Sequence, residues 1–259
     1  MLCQCSISLK RKNGCNCFVL YLIRLLYLCT KVKKNHLMKK ILVIVFGLIA
    51  YTSFSQELSE EAKRKFSFGI DVFTDIWQDL PKTIEQATIN QGVDIFGSYN
   101  YIINDGNFSL SPGIGLSYHN LNNKSLTMTV NDSTVFYPVP DSINLRRTKF
   151  TLGYFDIPIE LRYKSKNDVR FAIGIKFGVL MTAFTKYKGD DYLPNDNNKM
   201  VIYKKVRIPN VSKFRYGVSL RLGYKWLNFW GYYQLSSVFD KGKGPEMYPI
   251  SIGVSLMPY

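Results

Sequence analysis

The chain has 259 residues and a formal net charge of +15. That charge is not spread evenly: residues 1–55 hold nine Lys/Arg and no acid, leaving 25 basic against 19 acidic residues beyond them. A basic leader on a nearly balanced remainder excludes the continuous basic face of a nucleic-acid binder, so no nucleic-acid partner is expected.

All five cysteines precede Met38. Their Cys-x-Cys spacing is not that of a zinc module, and no metal or cofactor is expected. Residues 1–37 read as a non-native upstream extension. Met38-Lys39-Lys40, the apolar run Ile41–Ala50 and the small residues Ser53 and Ser55 read as a signal peptide over 38–55, cleaved before Gln56. A short periplasmic segment, 56–65, follows.

From Phe66 the sequence alternates with period two, and no helical period recurs. Eight strands are predicted: 66–77, 92–103, 108–120, 149–163, 169–184, 211–224, 227–239 and 248–256. Many reach ten residues or more, against five or six for ordinary strands and ~9–11 for a strand crossing a bilayer. Short connections (Asn104–Asn107, Ser165–Asp168, Lys225–Trp226) alternate with long ones (Gln78–Gln91, Leu121–Thr148, Lys186–Asn210, Asp240–Met247). This is the short-turn, long-loop signature of outer-membrane barrels. The fold class is therefore all-β: a closed antiparallel up-and-down transmembrane barrel of eight strands over 66–259, in the outer membrane. Aromatics near strand ends predict two girdles. Phe66, Tyr101, Phe108, Tyr163, Phe171, Tyr224 and Phe229 fall on the turn side. Trp77, Tyr118, Phe150, Phe184, Phe214, Phe239 and Tyr248 fall on the loop side.

The stretch Tyr154-Phe155-Asp156-Ile157-Pro158-Ile159-Glu160-Leu161-Arg162-Tyr163-Lys164 resembles the Tyr-x-x-Ile-Pro strand of PorT-like outer-membrane barrels of Bacteroidetes. The Ser-Phe-Ser-Gln at the predicted cleavage site is similar to leaders of that phylum. The resemblance covers Phe66 to Tyr259 and implies a barrel of about eight strands, with a role in type IX secretion for some relatives. Tyr259 resembles the closing aromatic read by the barrel assembly machinery, although Pro258 puts it off register. Pro158 lacks a ladder donor, and a bulge is expected around Tyr154, Ile157 and Pro158.

Alternation places Asp71, Asp94, Asp156 and Glu160 in the interior with Arg162, Lys176, Arg215 and Arg221. Eight strands enclose a space that side chains fill, so these groups are expected to form a lumen ion-pair network. No enzyme is expected: His119, near Ser117, reads as a solvated rim residue without the base and orienting group that nucleophilic catalysis needs. The long loops are the expected working surface. Their basic cluster Lys186, Lys188, Lys199, Lys204, Lys205 and Arg207 is a candidate contact for lipopolysaccharide, or for a secretion-system or surface protein partner. The expected role is non-enzymatic: surface interaction, envelope integrity or secretion. The rival readings are a soluble periplasmic ligand-binding barrel with its apolar face inward, a narrow channel, and a lipid-modifying barrel enzyme.

Overall fold

A computed structural model of the chain describes residues 59–257 apart from 83, 105, 141–142 and 191–199. The predicted leader over 1–55, Lys199, Pro258 and Tyr259 lie outside the described residues. The chain enters through a six-residue helix, α1 (Glu60–Lys65), whose N-cap Ser59 Oγ accepts from the Ala62 amide at 3.2 Å.

The strands are β1 (Phe66–Gln78), β2 (Gln91–Tyr99), β3 (Tyr101–Ile102), β4 (Phe108–Asn123), β5 (Ser125–Val130), β6 (Ser133–Pro138), β7 (Leu145–Lys164), β8 (Val169–Asp190), β9 (Met200–Val206), β10 (Phe214–Tyr224), β11 (Leu227–Gln234) and β12 (Tyr248–Leu256). Neighbours pair antiparallel in the order β1-β2-β4-β7-β8-β10-β11-β12, and β12 closes back on β1 from Ile70↔Leu256 to Gln78↔Tyr248. The result is a closed eight-stranded barrel. Closure leaves every spanning strand paired on both sides, which is the condition for a sheet to sit in hydrocarbon.

Residue parity decides which way each side chain faces. Ile70, Ile95, Leu116, Ile157, Ile175, Val218, Tyr233 and Ile252, one from each strand of the barrel, point outward and are exposed. The apolar face is thus outside and the charged face inside, the reverse of what a soluble barrel holding an apolar ligand requires. On the turn side, Phe66, Tyr101, Phe108, Phe171, Tyr224 and Phe229 also face out, as a membrane-interface belt would. The turns close tightly through left-handed residues, Asn104, Asp168 and Lys225.

The loop side departs from expectation in three ways. First, Leu121–Thr148 and Lys186–Asn210 are not plain loops. Strands β7 and β8 run to 20 and 22 residues, well past the bilayer's need. β9 pairs with the overhang of β8, and β5 with β6 form a separate hairpin. Second, the bulge lies elsewhere. Pairing of β7 with β8 is regular through Ile157↔Phe177, Pro158↔Lys176 and Ile159↔Ile175, and the register shifts fall further out, at Gly153/Tyr154, where Met181 is the extra residue, and at Leu145/Arg147. The bulge expected at Pro158 is absent. Its missing donor is absorbed as a gap in the β4 ladder, between Pro112↔Ile159 and Gly115↔Asp156, with no change of register. Third, Trp77, Phe150 and Phe239 are not girdle residues. They point inward, at 2%, 0% and 2% exposure.

Candidate functional site: a lumen closed in two storeys

The lower storey is ionic. Arg221 grips Asp71 with both terminal nitrogens (2.7 and 2.8 Å) and gives its Nε to Glu160 Oε1 at 2.9 Å and a further bond to Ser255 Oγ at 2.6 Å. Glu160 Oε2 also accepts from Arg162, at 2.8 Å from Nε and 2.7 Å from Nη2. Higher up, Lys176 pairs with Asp94 and stands 4.0 Å from Asp156. Arg215 Nη2 reaches both Asp156 oxygens, at 2.9 and 2.7 Å, and Ser117 Oγ donates to the same carboxylate at 2.6 Å. All eight charged residues of the expected network are therefore brought together, and all but Arg162 are buried.

Two glycines make room for this packing. A Cβ on Gly178 would stand 2.4 Å from Asp156 Oδ1 and 2.7 Å from Arg215 Nε; one on Gly174 would stand 2.7 Å from Glu160 Cγ. The ring faces of Phe96, Tyr154 and Trp230 fill the gaps between charges. Arg221 lies 4.4 Å over Phe96, Arg215 3.9 Å over Tyr154, and Lys176 5.0 Å over Trp230.

The network extends further than the eight residues. His119 is not a solvated rim residue: it is 1% exposed. Its Nδ1 meets Asp75 Oδ1 at 3.0 Å, and its Nε2 meets Arg215 Nη1 at 2.8 Å. A guanidinium only donates, so Nε2 accepts and the proton sits on Nδ1, facing Asp75. Ser251 Oγ donates to that same Asp75 oxygen at 2.6 Å. Asp75 was missed by the sequence reasoning, yet it shares the parity of Asp71. His119 shares the parity of Ser117. Strict alternation through the strand ends was the signal that would have placed both inside.

The upper storey is apolar. Trp77, Leu121, Phe150, Leu152, Ala183, Val211, Val238, Phe239 and Met247 form one buried cluster, with Phe136 inserted from the β5–β6 hairpin. Phe136 packs edge-on to Phe150 and Phe239 at centroid distances of 5.8 and 6.2 Å, and those two rings stack at 5.9 Å. The hairpin is tied down at its tip. Thr134 N donates to Lys243 O and Thr134 Oγ1 to Pro209 O, both at 2.9 Å, and Asn210 Nδ2 donates to Asp132 O at 2.7 Å. It works as a stopper seated across the barrel mouth.

The expected basic loop cluster divides. Lys186 and Lys188 lie on the overhang of β8, and Lys204 sits opposite Lys186 on β9. Lys205 faces Thr185 from the other side of β9, and Arg207 lies beyond that strand with a left-handed backbone. Register adds two residues that sequence reasoning did not include: Lys149 opposite Lys186 and Arg147 opposite Lys188. At the turn end, a cavity of about 570 Å³ is lined by Arg64, Arg162, Lys164, Lys166 and Arg170 among others. Among the described residues, no group of three His, Cys, Asp or Glu side chains is placed to hold a metal ion.

Solved barrels similar to the chain include the following two. Ail, the attachment invasion locus protein of Yersinia pestis, solved free and with the heparin analogue sucrose octasulfate, shares 9–11% identity. It covers 74% of this chain and 97% of its own, with a TM-score of 0.35. The outer membrane protease OmpT of Escherichia coli shares 9%, covering 74% and 93%, with a TM-score of 0.31. At these values neither likeness bears on ligand or activity. None of the curated proteins matches the chain. The family described as outer membrane protein beta-barrel domain matches residues 53–240. With a closed barrel that is apolar outside and ionic inside, the chain belongs to this outer-membrane β-barrel domain family, and its place is the outer membrane.

Proposed function

We propose that this protein is a non-enzymatic, non-conducting barrel whose working part is the structured surface at its loop end, facing outward from the cell. The observation that carries the reading is the doubly filled lumen. A channel needs an open path, and here an ionic storey and an aromatic storey follow one another along the axis. An enzyme needs a reachable nucleophile and base. Both ring nitrogens of His119 are occupied, and Ser117 is committed to Asp156.

The surface above the stopper is well suited to contact. Met128, Val130 and Tyr137 on the hairpin are exposed apolar side chains on rigid strands. Exposed apolar groups on a fixed scaffold are the usual material of a protein contact. The resemblance of Tyr154–Lys164 to PorT-like barrels supports a role in secretion or envelope integrity, with an envelope protein as partner, and delivery by the barrel assembly machinery.

The test is electrical and chemical together. Purified protein in a planar bilayer is expected to show no steady conductance, and a stable open level would overturn the closed-lumen reading. A photo-crosslinking residue at Tyr137 in intact cells is expected to give a discrete adduct that the same residue at Lys166, on the opposite end, does not give. Equal adducts from both ends would overturn the assignment of the working surface.

A further inference from the structure

β7, β8 and β9 overhang the barrel side by side, and their register sets basic residues against one another. Lys149 on β7 is paired with Lys186 on β8, and Lys186 with Lys204 on β9. One rung further out, Arg147 is paired with Lys188. These five side chains share the outward face of the sheet, since the alternate residues Thr148, Phe150, Thr185 and Tyr187 are buried inward. Directly opposed like charges destabilise a sheet, so an unscreened ladder of three lysines works against the register that creates it. Among the described residues no carboxylate forms an ion pair with Lys149, Lys186 or Lys204; the nearby pair Lys124–Glu85 is separate. Burial beside Arg147 and Lys186 pushes the Lys149 ammonium below its ordinary pKa. A neighbouring anion would remove that penalty.

The height of the row identifies the anion. Along the outward face of β8 the order is Phe171, Ile173, Ile175, Phe177, Val179, the bulged Met181, then Phe184 and Lys186. The row therefore stands one outward position above the last aromatic of the membrane-facing wall. Lys204 folds its ammonium back over that aromatic, 4.4 Å from the Phe184 centroid. Cations resting on an interfacial ring occupy the headgroup level of a membrane. Arg147 is held from the side, with Asn122 Oδ1 accepting from Nε at 3.0 Å and from Nη2 at 2.8 Å. Its Nη1 has no acceptor among the described residues.

We infer that the Lys149–Lys186–Lys204 row, flanked by Arg147 and Lys188, is a binding site on the outer wall for the phosphate groups of an outer-leaflet lipid. Tetrahedral phosphates accept from several ammonium groups at once, and a bisphosphorylated sugar headgroup spans a row where a single phosphate reaches one or two of its members. This inference rests on the reading that the loop end faces outward.

The test uses the full chain, purified and folded in detergent. Titration with bisphosphorylated lipid A is expected to give saturable binding and a raised unfolding temperature. The variant Lys149→Gln/Lys186→Gln/Lys204→Gln is expected to bind about tenfold or more weakly. In phosphatidylcholine vesicles without lipid A it is expected to be at least as stable as the parent, because the opposed charges are gone. Monophosphorylated lipid A should fall between, and inorganic phosphate or polyglutamate at the same phosphate or carboxylate concentration should give no shift. Equal lipid A binding by parent and variant overturns the site. A shift with inorganic phosphate or polyglutamate as large as with lipid A overturns the lipid assignment. If the triple variant does not fold, Lys186→Gln alone, at the exposed centre of the row, carries the same comparison with a weakening of at least about threefold. Orientation is read separately. Met128→Cys is expected to react with a membrane-impermeant maleimide in intact cells and Lys166→Cys is not. The reverse labelling overturns the outward reading while leaving the binding measurement intact.

Discussion

Replacing Arg221 with methionine is expected to cost far more than the loss of an exposed ion pair. The guanidinium is 3% exposed and holds two carboxylates, Asp71 and Glu160. Those two acids do not suffer equally. Glu160 keeps Arg162 at 2.7 Å. Asp71 is fully buried, has no second ion-pair partner among the described residues, and lies directly opposite another carboxylate, Asp94, in the β1–β2 register. Arg221→Met therefore strands one buried charge, a change that costs about 3–5 kcal/mol. With a urea m-value of about 2–3 kcal/mol/M, the unfolding midpoint should fall by about 1–2.5 M. The second arm removes the stranded charge as well: Arg221→Met/Asp71→Asn is expected to recover at least about 2 kcal/mol of that loss. The assay is urea unfolding of the folded barrel in lipid vesicles, followed by tryptophan fluorescence and by the heat-modifiable gel shift. A single variant as stable as the parent, or a double variant no better than the single, would refute the claim that pairing with Asp71 is what Arg221 is there to do.

Three further outcomes follow from the same geometry. Gly178→Ala pushes a methyl group into the space shared by Asp156 and Arg215 and should destabilise by about 1–3 kcal/mol, read in the same urea series. Phe136→Ala withdraws the stopper's ring from Phe150 and Phe239 and should weaken hairpin docking by about 3 kcal/mol. Limited trypsin treatment would then cut after Lys124, between β4 and β5, while the barrel strands survive, and a hairpin as resistant as the parent's would count against its role as a stopper. Pro158→Val should leave stability within about 1 kcal/mol, since the β4 ladder is already interrupted there; a large loss by thermal melt would show that proline shapes the strand after all.

The membrane wall was legible in the sequence because from each turn up to the level of Met181 it obeys one rule. Ile70, Ile95 and Leu116 are read as outward by counting in twos, and the same count puts Asp71, Asp94 and Glu160 inside. The aromatic storey was less legible for a different reason in each case. Trp77 and Phe150 follow the inward parity of Asp71 and Asp156, but a large aromatic near a strand end reads equally well as a lipid-interface anchor, and composition does not separate the two. Phe239 stands past the end of β11, where no period applies. The hairpin carried its own signal, alternating residues either side of Asn131-Asp132, both with positive φ as a tight primed turn requires. The Asn and Asp content of the whole Leu121–Thr148 stretch read as loop instead. The lysine row could not be read at all from one strand, because it exists only through the register of three.

Met181 gives the overhang an independence that the spanning wall does not have. Up to Leu180 the even-numbered residues of β8 face the interior; from Ala183 the odd-numbered ones do. One inserted residue thus exchanges the two faces of everything beyond it, in keeping with the strict two-residue repeat of a strand. Removing Met181 would turn Lys186 and Lys188 toward the aromatic stopper and bring Tyr187 out to face lipid, while every residue from Val169 to Val179 kept its place. The bulge is a hinge in the reading frame of the surface: below it the bilayer dictates each side chain, and above it the same strand is free to be rewritten for whatever it meets outside.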